Sequence, residues 1–327
     1  MSTSSITLWR QEQRKNFIRT EDLLQFLEFS SESREKGWKN PRFSCNVPRR
    51  LAEKMEKNCP EDPLFRQFVP MQEERIEVPG FVSDPVQDQT FCKTEKMLQK
   101  YRGRALLVTT SACAMHCRFC FRQNFPYEVD VVGFEKELEA ISQDPLITEV
   151  ILSGGDPLSL SDKILSSILF AIDQMPHIKR IRFHTRFPLG IPERIDPSFL
   201  QMLSLVSKQI FFVIHCNHPR ELDSDVLISL RQILALKIPV LNQSVLLKGV
   251  NDSEEVLLEL FEKMVDHGII PYYLHQLDKV QGASHFLVED ARALELVHFL
   301  QQNLSGFAVP RLVREEPGKL SKSWISS

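Results

Sequence analysis

The chain lacks an apolar run long enough to cross a membrane. Its most apolar short run, residues 210–214 (IFFVI), is far below the roughly 18 residues that a spanning helix requires. The amino-terminal stretch, MSTSSITLWRQEQRK, also lacks the apolar segment that is typical of a secretory signal. We therefore expect a cytoplasmic protein that does not bind a membrane.

An excess of charge of one sign is also missing. The 40 basic and 43 acidic side chains give a net charge of -3, and the isoelectric point is near 6.3. This balance offers no basic surface for nucleic acid, so we expect no nucleic-acid partner. A hydrophobic content of 43% is ordinary for a soluble globular protein.

The seven cysteines are unevenly distributed. In a reducing compartment they are not expected to form a disulfide framework. Four are scattered, and we expect them to be structural: Cys45, Cys59, Cys92 and Cys216. The other three, Cys113, Cys117 and Cys120, lie within eight residues of each other, which points to a metal site.

Short apolar runs alternate with amphipathic helical stretches through most of the chain. In residues 162–174 and 253–267, apolar side chains recur at steps of three and four, as in a helix with one buried face. Six βα repeats predict an α/β fold, a partial (β/α)6 barrel of the TIM type with functional loops at the carboxyl ends of its strands. A doubly wound open sheet fits the same periodicity. The strand candidates are residues 105–109, 149–152, 180–184, 210–215, 240–246 and 271–275.

The amino-terminal part of the chain shows no βα repeat. Helical stretches at 20–29 and 48–57 are interrupted there by turns that contain proline and charged residues. We predict a mostly helical extension over residues 1–95, a barrel over 96–288, and a helix with a polar tail over 289–327.

The three clustered cysteines follow the first strand candidate with the spacing C-x3-C-x2-C. Thiolates are the soft ligands that iron–sulfur clusters prefer. Because no fourth cysteine lies close in sequence, one iron of a cluster would remain open to another ligand. The alternatives are a zinc site completed by His116 or a distant histidine, and three unligated thiols.

A second motif, residues 153–157 (SGGDP), follows the next strand candidate. The paired glycines Gly154 and Gly155 would let a ligand approach the backbone, and Asp156 can pair with an ammonium group. Taken alone, such a motif is an ordinary turn.

The three-cysteine loop matches the signature of radical S-adenosylmethionine enzymes. Within them, the chain resembles the lysine 2,3-aminomutase family over nearly its whole length. The resemblance implies a [4Fe–4S] cluster on Cys113, Cys117 and Cys120, S-adenosylmethionine on the open iron, and pyridoxal phosphate as a further cofactor. The matching segments are residues 101–104 (YRGR), 113–120 (CAMHCRFC), 153–158 (SGGDPL), 215–219 (HCNHP), 242–247 (NQSVLL), 249–252 (GVND) and 271–275 (PYYLH).

The resemblance also implies ligand roles for individual residues. Lys322, seven residues after Glu315, matches the lysine that holds pyridoxal phosphate, while Lys319 competes but requires a gap in the match. The cofactor phosphate is assigned to Arg104, with Tyr101 and Gln243 nearby. S-adenosylmethionine is assigned to Gly154, Gly155, Asp156, His215, Phe119 and Arg186.

For the substrate, Arg122 matches the group that binds the α-carboxylate. Asp278 and Glu315 match the groups that bind the side-chain ammonium, although members that act on free lysine carry Asp where this chain has Glu315. Three further histidines are expected to serve packing only: His184, His218 and His275.

The function implied is an isomerase that converts L-α-lysine to β-lysine. Residues 48–57 (PRRLAEKMEK), 121–127 (FRQNFPY) and 277–286 (LDKVQGASHF) are similar to the branch that acts on elongation factor P. That branch implies a link to the factor and its lysine ligase, and a reductant of the flavodoxin or ferredoxin type. The alternatives are a stand-alone 2,3-aminomutase for free lysine or another amino acid such as glutamate, and a non-catalytic metal-binding module.

Overall fold

The centre of the structure, a computed structural model, is a ten-stranded sheet whose strand order follows the chain. Residues 7–31, 41–125 and 133–326 are described. Strands β3 to β9 are parallel, while β1, β2 and β10 add antiparallel strands at the two ends. The strands are β1 (Cys92–Thr94), β2 (Met97–Leu98), β3 (Arg104–Val108), β4 (Glu149–Ser153), β5 (Arg180–Thr185), β6 (Gln209–Ile214), β7 (Val240–Val245), β8 (Ile269–His275), β9 (Arg311–Arg314) and β10 (Ser323–Trp324).

Helices connect the parallel strands, as a crossover between parallel neighbours requires. In the described ranges, α1 to α4 precede the sheet and α5 to α11 lie between its parallel strands. The helices are α1 (Leu8–Gln13), α2 (Thr20–Phe26), α3 (Arg49–Glu53), α4 (Pro63–Phe68), α5 (Glu135–Gln143), α6 (Asp162–Asp173), α7 (Phe187–Gly190), α8 (Pro197–Ser204), α9 (Ser224–Ala235), α10 (Glu254–Asp266) and α11 (Asp290–Asn303). None is long and apolar enough to cross a membrane, for the part of the chain described.

The predicted α/β fold is confirmed as a partial barrel of the TIM type. All six strand candidates form strands, with bounds that agree within two residues. The sheet is open, because β1 and β10 stand at opposite ends of the strand order.

The sheet also extends beyond the predicted strands. Strand β9 pairs in parallel with β8, and β10 returns antiparallel beside β9. These strands have only four and two residues, which is too short for a periodicity to show in the sequence. Strands β1, β9 and β10 join the same sheet as the central strands. The predicted division of the chain into three parts at residues 95 and 288 therefore does not follow the limits of the sheet, and it stays a prediction.

Strand alternation divides the barrel into an apolar outer side and a polar inner side. In β5, Ile181 and Phe183 are fully buried in the main core. The alternate residues Arg182 and His184 line the central cavity. Because residues i and i+2 of a strand point to the same side of the sheet, the alternate polar residues of a strand all face the cavity.

Side-chain caps define where several outer helices begin. The carboxylates of Asp196 and Asp223 accept hydrogen bonds from the third residue of α8 and α9, at 2.9 Å in each case. Ser161 and Ser253 cap α6 and α10 in the same way. These side chains accept hydrogen bonds from backbone amides in the first turn, which have no partner within the helix. They therefore fix the residue at which each loop ends and the helix begins.

Candidate active site

A cavity of about 350 Å³ opens at the carboxyl ends of the parallel strands. It brings together every residue to which the sequence analysis assigned a ligand. Lys319 is not among its lining residues and is exposed. The predicted residues on its wall are Tyr101, Arg104, Cys113, Cys117, Phe119, Cys120, Arg122, Gly154, Gly155, Asp156, Arg186, His215, Gln243, Asp278, Glu315 and Lys322.

The three cysteines lie together at one end of this cavity. Burial raises the pKa of Cys113 well above its ordinary value, and Asp156 and the other two thiols raise it further. Burial likewise raises the pKa of Cys120 to about 11. The thiols are therefore protonated without a metal, and metal binding must release protons.

Three thiols that each bind a different iron need not converge on one point. Within the described ranges, no three His, Cys, Asp or Glu side chains converge closely enough to hold a single metal ion. Nη1 of Arg186 donates a hydrogen bond to Sγ of Cys117 at 3.0 Å. A cation at this position favours the thiolate, the form that binds metal.

The paired glycines let the loop after β4 pack against the cysteine loop. The amide of Gly155 donates to the carbonyl of Thr110 at 2.6 Å. A Cβ at Gly155 would lie 2.4 Å from the carbonyl oxygen of Ala112, and one at Gly154 would lie 2.7 Å from that of Thr110. Both contacts are with backbone, which cannot move aside, so these positions require glycine.

The carboxylate of Asp156 is held by the chain's own donors. It accepts hydrogen bonds from the hydroxyl of Thr185 at 2.7 and 2.9 Å and from the amides of Arg186 and Phe187 at 2.7 and 3.0 Å. Burial raises its pKa to about 6, against the effect of these hydrogen bonds. Asp156 thus ties the loop after β4 to the end of β5, and its pairing with an ammonium group stays a prediction.

Arg186 is held by residues that the sequence analysis missed. Its Nη2 donates to Gln67 in α4 and to Glu221 after β6, at 2.7 Å in both cases. Both partners are fully buried. Burial opposes the charge, but Cys117 and Glu221 outweigh it and raise the pKa of Arg186. Of its donors, Nε is buried without a partner in the described structure.

At the other end of the cavity, Lys322 is paired with Glu315. Its Nζ donates to Oε2 of Glu315 at 2.7 Å, and the hydroxyl of Tyr101 donates to Oε1 at 2.7 Å. Lys100 lies 3.8 Å from the same Oε1. Burial would raise the pKa of Glu315, but Lys322, Tyr101 and Lys100 outweigh it and hold the pKa below its ordinary value.

Arg104 and Gln243 occupy the wall near this pair. The Arg104 guanidinium lies over the ring of Tyr101, 4.7 Å from its centroid, and forms no ion pair with a carboxylate in the described part of the chain. Gln243 lies 2.7 Å from Nε2 of His215. Burial lowers the pKa of His215 to about 3, so the imidazole is neutral and accepts from the Gln243 amide.

The predicted substrate residues Arg122 and Asp278 also line the cavity. Asp88, which is 1% exposed, binds Nε of Arg122 and Nζ of Lys100, at 2.7 Å in both cases. Sequence reasoning missed Asp88, because it lies in the amino-terminal extension far from any motif. The carboxylate of Asp278 has no hydrogen-bond partner among residues 7–31, 41–125 and 133–326, and burial raises its pKa to about 6 against the effect of Lys322.

Two of the three histidines that were expected to serve packing only lie on the cavity wall, and their role stays a prediction. His184 and His275 line the cavity, and burial lowers the pKa of each well below its ordinary value. His218 accepts a hydrogen bond from the amide of Arg220, which suits a packing role. Strand alternation was the available signal, because His184 and His275 fall on the inward positions of β5 and β8.

Aromatic and basic side chains complete the wall. Phe119 packs edge-on against Phe286, with ring centroids 6.0 Å apart, and the Arg186 guanidinium lies 5.3 Å from its ring. Tyr272 and Tyr273 also line the cavity, and sequence reasoning did not single them out. The cavity therefore combines thiols, fixed charges and aromatic surface around one space.

Comparison with known proteins gives several relatives over most of the chain. The L-lysine 2,3-aminomutase of Haemophilus influenzae (strain ATCC 51907 / DSM 11121 / KW20 / Rd) is 41% identical over 86% of this chain and 84% of its own length. That of Escherichia coli (strain K12) is 39% identical over 93% and 90%, and that of Clostridium subterminale is 31% identical over 95% and 76%. The chain belongs to the lysine 2,3-aminomutase family.

Membership of this family of radical S-adenosylmethionine enzymes confirms the family prediction and makes the chain an enzyme of the isomerase class. No family model matches the chain. A solved structure of histidine-tagged anSMEcpe with bound AdoMet aligns with a TM-score of 0.44 and 12% identity, over 60% of this chain and 56% of that one. That likeness is too distant to bear on the site.

Proposed function

We propose that this lysine 2,3-aminomutase family member moves the α-amino group of L-lysine to the β-carbon, and that the β-lysine serves the modification of elongation factor P. One observation carries the activity. A single cavity has three cysteine thiols at one end and Lys322 at the other, with Arg104 and Asp278, which form no ion pair in the described ranges, on its wall. The relatives named L-lysine 2,3-aminomutase support the same substrate.

Cys113, Cys117 and Cys120 would hold a [4Fe–4S] cluster. Their mutual proximity and the Arg186 contact with Cys117 fit such a group. The glycine loop, His215, Phe119 and the free Nε of Arg186 line the space where S-adenosylmethionine would bind. When bound to a reduced cluster, that cofactor supplies a carbon radical that can remove a hydrogen atom.

Lys322 would hold pyridoxal phosphate, which when bound carries the migrating amino group. Arg104 fits the cofactor phosphate, because its guanidinium has no carboxylate partner in the described residues and matches a phosphate in shape. Tyr101 and Gln243 lie on the same wall. Lys319 fits poorly, because it is exposed and lies off the cavity.

Arg122 and Asp278 would bind the two charged ends of the substrate. Asp88 fixes Arg122, which is 8% exposed and would meet the α-carboxylate. Asp278 would meet the side-chain ammonium. An unpaired charge in a buried site costs several kcal/mol, so a neutral side chain binds poorly and the carboxylate of glutamate is repelled.

The link to elongation factor P is supported by the sequence segments at 48–57, 121–127 and 277–286. In that role the product passes to a lysine ligase that attaches it to the factor. A flavodoxin or ferredoxin would deliver the electron that the cluster requires.

The test is turnover by the reconstituted protein. The chain is loaded anaerobically with iron, sulfide and pyridoxal phosphate, then given S-adenosylmethionine, a strong reductant and either L-lysine, L-glutamate or lysine-bearing elongation factor P. We expect β-lysine from L-lysine and no product from L-glutamate. A fully loaded protein that yields no β-lysine from L-lysine would contradict the proposal.

A further inference from the structure

Strand register sets the contact between Glu315 and Lys322. In the antiparallel pair of β9 and β10, Ser323 lies opposite Arg314 and Trp324 lies opposite Val313. One further step in this register brings Lys322 opposite Glu315, and their side chains meet at 2.7 Å. Glu315 and Lys322 are seven residues apart because they lie opposite each other across this hairpin.

Both oxygens of the Glu315 carboxylate are already used. Oε2 accepts from Lys322, and Oε1 accepts from Tyr101 in the turn before β3, with Lys100 close to the same atom. The carboxylate is therefore fixed from two sides and only one-tenth exposed, at 10% of its side chain. A substrate ammonium would have to displace one of these groups to reach it.

Asp278 differs from Glu315 in its hydrogen bonding. It lies on the same cavity, yet its carboxylate has no hydrogen bond to any described side chain or backbone group. Burial raises its pKa to about 6, as expected for a carboxylate that lacks a partner. An arriving ammonium would supply that partner without breaking an existing contact.

We propose that Glu315 is a positioning residue for Lys322 and does not bind the side-chain ammonium of the substrate, which Asp278 alone recognises. The inference rests on the proposed function, since it concerns how the cofactor lysine of that site is held. It departs from the role that the family resemblance implies for Glu315.

The physical reason lies in the changing charge of Lys322. Whenever the cofactor is not attached to it, Lys322 is an ammonium in a part-buried site, with a quarter of its side chain exposed, at 25%. Without a carboxylate, that charge would be costly or would turn toward solvent. Glu315, held by Tyr101, gives the ammonium one fixed partner and keeps the amine aimed into the cavity.

The first measurement is cofactor loading, which needs no turnover. Pyridoxal phosphate is titrated into the cluster-loaded wild type, Glu315→Gln, Glu315→Asp, Asp278→Asn and Lys319→Gln, and its bond to Lys322 is trapped by borohydride and mapped by mass spectrometry. In Glu315→Gln we expect the fraction of pyridoxal phosphate trapped on Lys322 at a fixed cofactor concentration to fall severalfold, because the carboxylate that holds the amine in the cavity is gone. Glu315→Asp should restore it, and Lys319→Gln should match the wild type.

The second measurement is the affinity of the loaded proteins for L-lysine, read from the change in cofactor absorbance. We expect Asp278→Asn to weaken binding about 100-fold and Glu315→Gln to change it by less than about threefold. Equal weakening of lysine binding in the two variants, with an unchanged amount of trapped cofactor in Glu315→Gln, would overturn the inference.

These outcomes separate the inference from the proposed function. If the wild type does not load pyridoxal phosphate on Lys322, both the proposed function and the inference are contradicted. If the wild type loads the cofactor but Glu315→Gln and Asp278→Asn weaken lysine binding equally, only the inference is contradicted. If Glu315→Gln does not fold, Asp278→Asn provides the test on its own. Recognition by Asp278 alone predicts that this variant loses about 100-fold in affinity for L-lysine, and a loss of less than about threefold would contradict the inference.

Discussion

The two ends of the cavity differ in how their charges are paired. At the cluster end, Asp156 and Arg186 are held by donors and acceptors of the chain itself. At the lysine end, Arg104 and Asp278 form no ion pair in the described ranges. Buried charge is costly unless it is paired, so we expect bound ligands to supply the missing partners at the lysine end.

The elements that build the ends differ in the same way. The cluster end rests on contacts between loops after neighbouring strands, with glycines that allow backbone to touch backbone. The lysine end depends on the short hairpin of β9 and β10, which is joined through Tyr101 to the turn before β3. Changes at one end should therefore leave the other largely intact, and the predictions below test that independence.

The largest effect is expected at the cluster. Cys117→Ala should abolish bound cluster iron and all turnover, because the thiolate is lost as a ligand, while pyridoxal phosphate still attaches to Lys322. Iron analysis and borohydride trapping measure the two ends separately. Cys59→Ala, outside the cavity, is the matched control and should retain its iron. Failure of cofactor attachment in Cys117→Ala would break the proposed independence.

The converse change is at the cofactor lysine. Lys322→Ala should lose trapped pyridoxal phosphate and all β-lysine formation, yet keep the iron and visible absorbance of the wild-type cluster. Lys319→Ala is the control and should retain both. Activity that survives in Lys322→Ala and disappears in Lys319→Ala would transfer the role to Lys319.

A smaller effect is expected from pH, through Asp278. Its pKa of about 6 lies above the ordinary value, so the carboxylate becomes protonated below about pH 6 and the kcat/KM for lysine should fall there. Asp278→Asn should lower kcat/KM at neutral pH and flatten this acid limb. Persistence of the limb in the variant would assign it to another group, such as Asp156, whose pKa is also about 6.

The same raised pKa affects stability. Because the folded carboxyl binds its proton more tightly than the unfolded one, its contribution favours folding at low pH and is lost as pH rises from about 4 to about 6. Asp278→Asn should therefore stabilise the cofactor-free protein at pH 7, by about 1–2 kcal/mol, as measured by urea unfolding. A less stable variant would show that the carboxylate has a partner in the folded chain.

An effect on stability of similar size is expected from a single methyl group at the cluster end. Gly155→Ala should lower the free energy of unfolding by about 1–3 kcal/mol, because its Cβ would lie 2.4 Å from the Ala112 carbonyl oxygen. Gly306→Ala is the control, since a Cβ there meets no atom within 4 Å. Equal denaturation midpoints for the two variants would contradict the close packing of the loops.

The sequence predicted local features well. The six parallel strands and the cysteine loop each depend on a pattern within a few residues, and the structure reproduces the strand bounds within two residues. The family resemblance supplied residues that all line one cavity. Their roles stay predictions until they are tested.

The residues that the sequence did not reveal make contacts with residues far away along the chain. Asp88, Gln67 and Glu221 hold the predicted arginines, but each lies far along the chain from its partner, and no local pattern distinguishes it from an ordinary polar residue. The hairpin of β9 and β10 was too short to show a period. His184 and His275 could have been placed by extending strand alternation to the polar positions.

The most direct test of the account is whether its two ends act on one substrate molecule. L-Lysine that carries deuterium on its β-carbon is converted by the reconstituted protein, and S-adenosylmethionine and β-lysine are recovered for mass spectrometry. A shared cavity predicts deuterium in both molecules, because the hydrogen passes from the substrate to the cofactor and back. β-Lysine formed with no deuterium in the recovered S-adenosylmethionine would contradict the account.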